Sequence, residues 1–297
     1  MIRRTNAVKR IFLMMLALCL VIGMTGCGTK KDTGADAQKP VLLAVSFGTS
    51  YNDSRDITIG AIENALQKAY PEYEVRRAFT SQIIIDILKE RDNLVIDNVT
   101  EAMDRLVSDR VKEVVVQPTH VMTGFEYDDV VEEVNKYADK FDSLKISKPL
   151  LADDKDYDAL IETLVNETAK YNKEGTAIVF MGHGTEHESN TAYAKLQKKI
   201  TDAGYNNYFI GTVEAKPDLE DVIKNAKDYG ATKVVLHPLM IVAGDHVNND
   251  MAGDEEDSWK TAFINEGFEV ECVLKGLGQY DGIQQIYVKH AADAIAE

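Results

Sequence analysis

A chain of 297 residues with 45% hydrophobic and 28% charged side chains is too apolar to be disordered, and its length suits two lobes better than one small core or three domains. The formal charge of -16 argues against a nucleic-acid partner, which would be repelled, and favours cations. With Cys19 and Cys27 near the N-terminus and only Cys272 in the body, an intramolecular disulfide in the folded body is excluded, so the core must hold itself together.

Arg3, Arg4, Lys9 and Arg10 precede an apolar run from Ile11 to Met24, followed by small residues and Cys27. Cations, a short apolar run and a small-residue junction in that order form an export signal. The run is shorter than the roughly 20 apolar residues a membrane-spanning helix needs. Met24-Thr25-Gly26-Cys27 resembles a lipobox, so residues 1–26 are expected to be removed and Cys27 lipidated. Residues 27–39 are polar with Gly and Asp and read as a flexible tether. The expected location is therefore the extracytoplasmic face of a membrane, held there by a lipid anchor. Removal of the four cations takes the formal charge to roughly -20.

From Pro40 onward, short β-branched runs alternate with amphipathic stretches. Val41–Ser46 reads as a strand. A helix follows over Asp53–Tyr70, where Ile57, Ala61, Ile62, Ala65, Leu66 and Ala69 share one face, Asp53 or Ser54 caps the start and Pro71 stops it. Strands follow at Glu74–Phe79, Val114–Gln117 and Leu144–Ser147, with helices over Asn98–Ser108 and Tyr127–Ala138. A helix over Asp156–Tyr171 joins the halves, and the second half has strands at Ala177–Met181, Tyr208–Val213, Val234–His237 and Phe268–Val273. Cys272 is expected to be buried in the last of these. The alternation predicts an α/β fold with two lobes, residues 40–152 and 153–297, each a mostly parallel sheet flanked by helices.

The halves also resemble each other in their motifs. VLLAVSFGTS (Val41 to Ser50) matches TAIVFMGHGT (Thr176 to Thr185), and VVVQPTHVMTGFE (Val114 to Glu126) aligns with VVLHPLMIVAGDH (Val234 to His246). An internal duplication explains both pairs and predicts a cleft between the lobes. Each motif follows a strand, and open α/β sheets bind ligands at the C-terminal ends of their strands.

Comparison within the pairs singles out a site. Phe47 stands where the second half has His183, and Glu126 where it has His246. His183 lies between Gly182 and Gly184, so no bulky neighbour screens its ring. A glycine-rich turn before a helix also suits phosphate, but MGHGT has neither a P-loop lysine nor a dinucleotide fingerprint. Glu214 ends the Tyr208–Val213 strand and is a third strand-end residue of the same half. Two imidazoles and a carboxylate suit a borderline divalent ion and leave coordination positions open. Asp245, Asn248, Asn249 and Asp250 are placed to orient His246. Of the remaining histidines, His237 is expected in the core, His290 on the surface and His120 facing the cleft from the first half. His187 and Glu188 fit either a metal-loading role or a solvated helix start, and Asp254 to Asp257 a solvated surface.

Taken together, SFGTSYNDS, RAFTSQII, FMGHGTEH, GTVEAKP, HPLMIVAGDHVNNDMAGDEEDSWK and KGLG resemble the anaerobic sirohydrochlorin cobaltochelatase family, ATP-independent chelatases related in fold to ferrochelatase. The resemblance runs from Pro40 to the C-terminus. It implies insertion of a divalent ion, Co²⁺ first and Fe²⁺ or Ni²⁺ as alternatives, into a tetrapyrrole, without a nucleotide. It maps the family's ligands onto His183, Glu214 and His246, with His183 also accepting protons and Glu214 offsetting the ion's charge. For the polycarboxylate macrocycle it suggests Ser46, Thr49, Arg76, Arg77, Thr80 and His120 as contacts. The export signal departs from the family's usual cytoplasmic members. It keeps a second reading open, a lipoprotein that captures metal, haem or another tetrapyrrole and delivers it to a transporter without turnover; a homo-oligomer is compatible with either.

Overall fold

The computed structural model describes residues 38–297; the expected export signal, Cys27 and all but the last two residues of the expected tether lie outside the described residues. Among the described residues, no helix is long and apolar enough to cross a membrane.

The first lobe carries β1 (Val41–Ser46), β2 (Glu74–Phe79), β3 (Glu113–Pro118) and β4 (Ser143–Ile146), all parallel, in the order β2-β1-β3-β4. The second repeats this with β5 (Thr176–Gly182), β6 (Tyr208–Thr212), β7 (Lys233–Pro238) and β8 (Glu269–Cys272) in the order β6-β5-β7-β8. Both central strands, β1 and β5, are buried at every position, as strands covered on both faces must be. The duplication extends to register: Val41 pairs with Val114 as Ala177 pairs with Val234.

Around the first sheet lie α1 (Asn52–Ile57), α2 (Ile59–Ala69), α3 (Gln82–Asp92), α4 (Val99–Ser108) and α5 (Phe125–Asn135). Then come α6 (Asp154–Thr168), α7 (Thr191–Asp202), α8 (Leu219–Tyr229), α9 (Trp259–Asn265) and α10 (Asp281–Ala296). The single helix expected over 53–70 is two. Thr58 turns its hydroxyl back on the Ser54 carbonyl at 2.5 Å, and its backbone leaves helical geometry at ψ -77°, which bends the chain and leaves Ile57 exposed. Neither Asp53 nor Ser54 caps α1; the Ser54 hydroxyl instead accepts the Ala243 N–H at 3.0 Å, tying the first lobe to the second.

The largest core lies between the sheets, where Ile62 and Leu66 of α2, Leu160 and Leu164 of α6, Leu196 of α7 and Ile283 and Tyr287 of α10 pack with Leu42 and Ile178. Full burial of each such side chain contributes about 1.5–3 kcal/mol, so the lobes are held together by a shared apolar core. Helix α10 packs on α2 and β3 of the first lobe as well as on α6. That position overturns the surface placement of His290. It is fully buried, with Nε2 3.1 Å from Asp156 Oδ1, and Asp156 also accepts the Ala152 and Asp153 amides at the start of α6. His237 is buried as expected, while Cys272 on β8 is only partly buried. Asp254 to Asp257 are exposed.

Candidate metal centre

The turns that follow β1, β3, β5, β6 and β7 meet over one cleft of about 680 Å³. His183 leaves the end of β5 between two glycines that the packing demands. A Cβ on Gly182 would lie 2.4 Å from the Tyr193 ring; one on Gly184, at φ 87°, would lie 2.8 Å from the Ala215 amide nitrogen. The next turn is stitched to it: the Val213 N–H donates to Gly182 O at 3.0 Å and the Glu214 N–H to His183 O at 2.9 Å. The Thr212 hydroxyl closes the Glu214 turn through Ala215 O at 2.7 Å. His246 precedes a wide helical turn over Val247–Met251, in which Ala252 N–H reaches back five residues to Val247 O.

These three turns bring the sequence-predicted ligands together. One ligand atom each from His183, Glu214 and His246 lies within 4.8 Å of the others, and this is the triad of the described residues able to hold a metal ion. The imidazoles meet edge to face with centroids 4.7 Å apart, and His183 Nδ1 stands 3.6 Å from Glu214 Oε2. All three side chains are partly exposed, at 48%, 54% and 37%, so an ion can enter and leave. Each imidazole is oriented through Nδ1. His246 Nδ1–H donates to Asp250 Oδ2 at 2.7 Å and His183 Nδ1–H to Gly184 O at 2.9 Å, which leaves both Nε2 lone pairs for a metal. Asp245 and Asn249 pair with each other at 2.9 Å, and Asn248 donates to Gly244 O, so of the four polar neighbours Asp250 is the one that hydrogen-bonds the His246 ring.

The first lobe forms the opposite wall. Ser46, Thr49 and His120 line the cleft, with Phe47, Val121, Met122, Phe125 and Glu126; Leu239, Met240, Ile241 and Val242 add apolar surface from the second lobe. Ser46 Oγ and Thr119 Oγ1 share a hydrogen bond at 2.7 Å. His120 is nearly enclosed, neither ring nitrogen has a hydrogen-bond partner, and burial pushes its pKa down to about 4. Its Nε2 is 3.6 Å from Glu126 Oε2, and partial burial raises the pKa of the Glu126 carboxyl.

Arg76, Arg77 and Thr80 are not brought to the cleft. The Arg76 guanidinium is held by Glu74 at 2.9 Å and Asp109 at 2.5 Å, and Arg77 makes a two-pronged pair with Glu63 at 2.6 Å. Both point off β2 to carboxylates that keep them charged and occupied. Among the described residues lining the cleft there is no Lys or Arg; its polar side chains are hydroxyls, imidazoles and the carboxylates of Glu126, Glu186, Glu214 and Asp245. His187 reaches across to α5, 3.4 Å from Asp128 and edge-on to Phe125. Sequence reasoning missed Tyr51, whose hydroxyl donates to Asp245 at 3.4 Å across the cleft, and Thr119; both follow the two motif strands, which was the available signal.

Two facing parallel-sheet lobes with the ligands at their strand ends define the chelatase architecture. A solved structure of SirB from Bacillus subtilis with Fe³⁺ superposes with a TM-score of 0.59 at 13% identity, covering 87% of this chain and 96% of that one. The structure of CbiX, the terminal enzyme for biosynthesis of siroheme in denitrifying bacteria, gives 0.50 at 15%, covering 86% and 99%. Residues 40–296 match the family described as Cobalt chelatase (CbiK), and the chain belongs to that family. Among its relatives, the sirohydrochlorin cobaltochelatase of Salmonella typhimurium is 38% identical over 257 residues, 86% of this chain and 97% of that protein. The sirohydrochlorin cobaltochelatase CbiKC of Nitratidesulfovibrio vulgaris is 30% identical over 261 residues, covering 87% and 91%.

Proposed function

We propose that this protein is a sirohydrochlorin cobaltochelatase, which inserts Co²⁺ into the macrocycle and releases two protons. The observation that carries the reading is the convergence of His183, Glu214 and His246 within 4.8 Å at one wall of a cleft in a cobalt chelatase family chain. Two neutral imidazoles and one carboxylate bind a borderline divalent ion without closing its coordination sphere. Such an ion keeps positions for pyrrole nitrogens and leaves as they replace the protein ligands. The apolar walls from Val121, Met122 and Leu239 to Val242 suit the faces of a planar ring, and Ser46 and Thr49 offer hydroxyls to its edge.

The same three donors accept Fe²⁺ and Ni²⁺, so metal choice rests on supply and on how readily the ion leaves. The test is metallation of sirohydrochlorin followed by absorbance, with Co²⁺, Fe²⁺ and Ni²⁺ offered separately and together. Many turnovers per protein, fastest with Co²⁺, are expected. Stoichiometric uptake of the macrocycle with no metallation would sink the reading in favour of a delivery lipoprotein. The lipobox-like Met24–Cys27 supports export and lipid anchoring at Cys27. Labelling with a fatty-acid analogue should mark the native chain and spare Cys27→Ser; equal labelling of both would contradict the anchor.

A further inference from the structure

The duplicated lobes cross the cleft rim at two equivalent places, and the two crossings differ in strength. At the first, the turn after β1 meets the turn after β7: the Tyr51 hydroxyl faces Asp245, and the buried Ser54 hydroxyl accepts the Ala243 N–H at 3.0 Å. At the second, the turn after β5 meets the start of α5. The His187 and Phe125 rings stand edge to face with centroids 4.9 Å apart, and His187 Nε2 lies 3.4 Å from Asp128. In the paired motifs Tyr51 stands for His187, Asp245 for Phe125 and Ser54 for Asn190. Asn190 does not tie its crossing as Ser54 does, since its side-chain amide donates to Lys216 O inside its own lobe at 2.8 Å. Resting on the chelatase reading above, the geometry points to a gate: the Phe125–His187 crossing closes the cleft beside the metal triad and parts to admit the macrocycle, whereas the ion passes with it shut.

Residues 185–190 keep their shape without the first lobe. The Thr185 N–H donates to Asn190 Oδ1 at 3.2 Å, the His187 N–H to Thr185 Oγ1 at 3.1 Å and the Asn190 N–H to His187 O at 3.0 Å. The Ser189 amide donates to His187 Nδ1 at 3.1 Å, so the neutral ring carries its proton on Nε2, towards Asp128. Among the described residues, 185–190 makes no hydrogen bond to the first lobe, and the crossing rests on a ring edge and one long, partly exposed imidazole–carboxylate contact. Contacts of that kind are individually weak, so this crossing opens readily while the tied one and the shared core hold the lobes together. Phe125, Glu126, Thr185 and Glu186 line the cleft with His183, so parting them widens the approach to the triad. The ion needs no such movement, because His183, Glu214 and His246 are already partly exposed. A gate that is mostly shut slows macrocycle uptake in proportion to the fraction of molecules with it open.

The test locks the gate in the full chain. A Cβ built on Gly124 stands 3.5 Å from Ser189 Oγ, within reach of a disulfide between Gly124→Cys and Ser189→Cys, and the Gly124 φ of -136° suits any residue. Mass spectrometry confirms the link, with each single variant as the control for pairing with Cys272. Expected of the oxidised double variant is Co²⁺ affinity near wild type by calorimetry and a fall of at least about tenfold in sirohydrochlorin uptake and metallation, restored once the bond is reduced and the reductant removed. Uptake within about threefold of the reduced form, or loss of Co²⁺ affinity, overturns the gate. His187→Ala, which leaves the cleft lining intact, should instead raise the macrocycle association rate in stopped-flow absorbance with Co²⁺ affinity unchanged. An unchanged or lower rate overturns the gate as well, and this variant decides if the disulfide does not form. A wild type that takes up the macrocycle without metallating it counts against the chelatase reading alone, since the gate is read from uptake.

Discussion

The two lobes share strand order, register and the glycine after the central strand, Gly48 at φ 101° and Gly184 at φ 87°, yet only the second assembles a metal-capable triad. Phe47 stands for His183 and Glu126 for His246. The register supplies the third comparison. Leu42 pairs with Val75 as Ile178 pairs with Tyr208, which sets Ser81 opposite Glu214. Ser81 is already the cap of α3, accepting the Ile84 amide, whereas the second lobe delays α8 until Asp218 and spends the intervening turn on presenting Glu214. One scaffold therefore serves two ends. In the proposed reaction the second lobe would hold the ion, and the first lobe would face the macrocycle with a largely apolar wall.

The largest effect that sharpens this contrast is expected at Glu214. Glu214→Gln should weaken Co²⁺ binding on the order of a hundredfold or more, read by titration calorimetry, because it removes the ligand charge that offsets the dication. Second, the buried neutral histidines should make the fold acid-sensitive. His237, between Tyr171 and Phe180, is held at about 4 by burial, while an unfolded histidine titrates near 6.5. The unfolded state then binds more protons between those values, so stability is full above about pH 6.5 and falls by roughly 3 kcal/mol for this residue as pH drops to about 4. In urea titrations His237→Leu should leave stability at pH 7 unchanged or higher and shrink the acid loss, with the remainder carried by His120; an unchanged acid limb would contradict this. Third, Asp250→Asn should cost about 10–100-fold in metal affinity, since it releases the His246 ring from its orientation. The smallest effect belongs to the other lobe: Ser81→Ala should lower stability by about 1 kcal/mol and leave Co²⁺ affinity alone, whereas a matching loss of affinity would erase the distinction between the lobes.

Much of the frame was legible because parallel strands buried on both faces appear as short apolar runs bounded by turns, and all eight expected strands are present within a residue or two. His183 and His246 were legible because a duplicated scaffold supplies its own control. Glu214 came from its place at a strand end, not from a paired motif, since the added turn before α8 shifts the local alignment. What depended on packing was not legible. Nothing in the periodicity of 53–70 tells that Thr58 breaks the helix, nor that α10 buries His290 against Asp156. The arginines of β2 failed as macrocycle contacts for a related reason: strand alternation gives the face of a side chain, but its partner, Glu63 for Arg77, lies fourteen residues away.

The central claim is that the ion is handled by the second lobe's triad, and it is tested most directly by the rate of Co²⁺ insertion into sirohydrochlorin for the wild type, His183→Ala and His246→Ala. The account predicts repeated turnover by the wild type and a loss of at least about a hundredfold in each folded variant. Equal turnover in all three would contradict it.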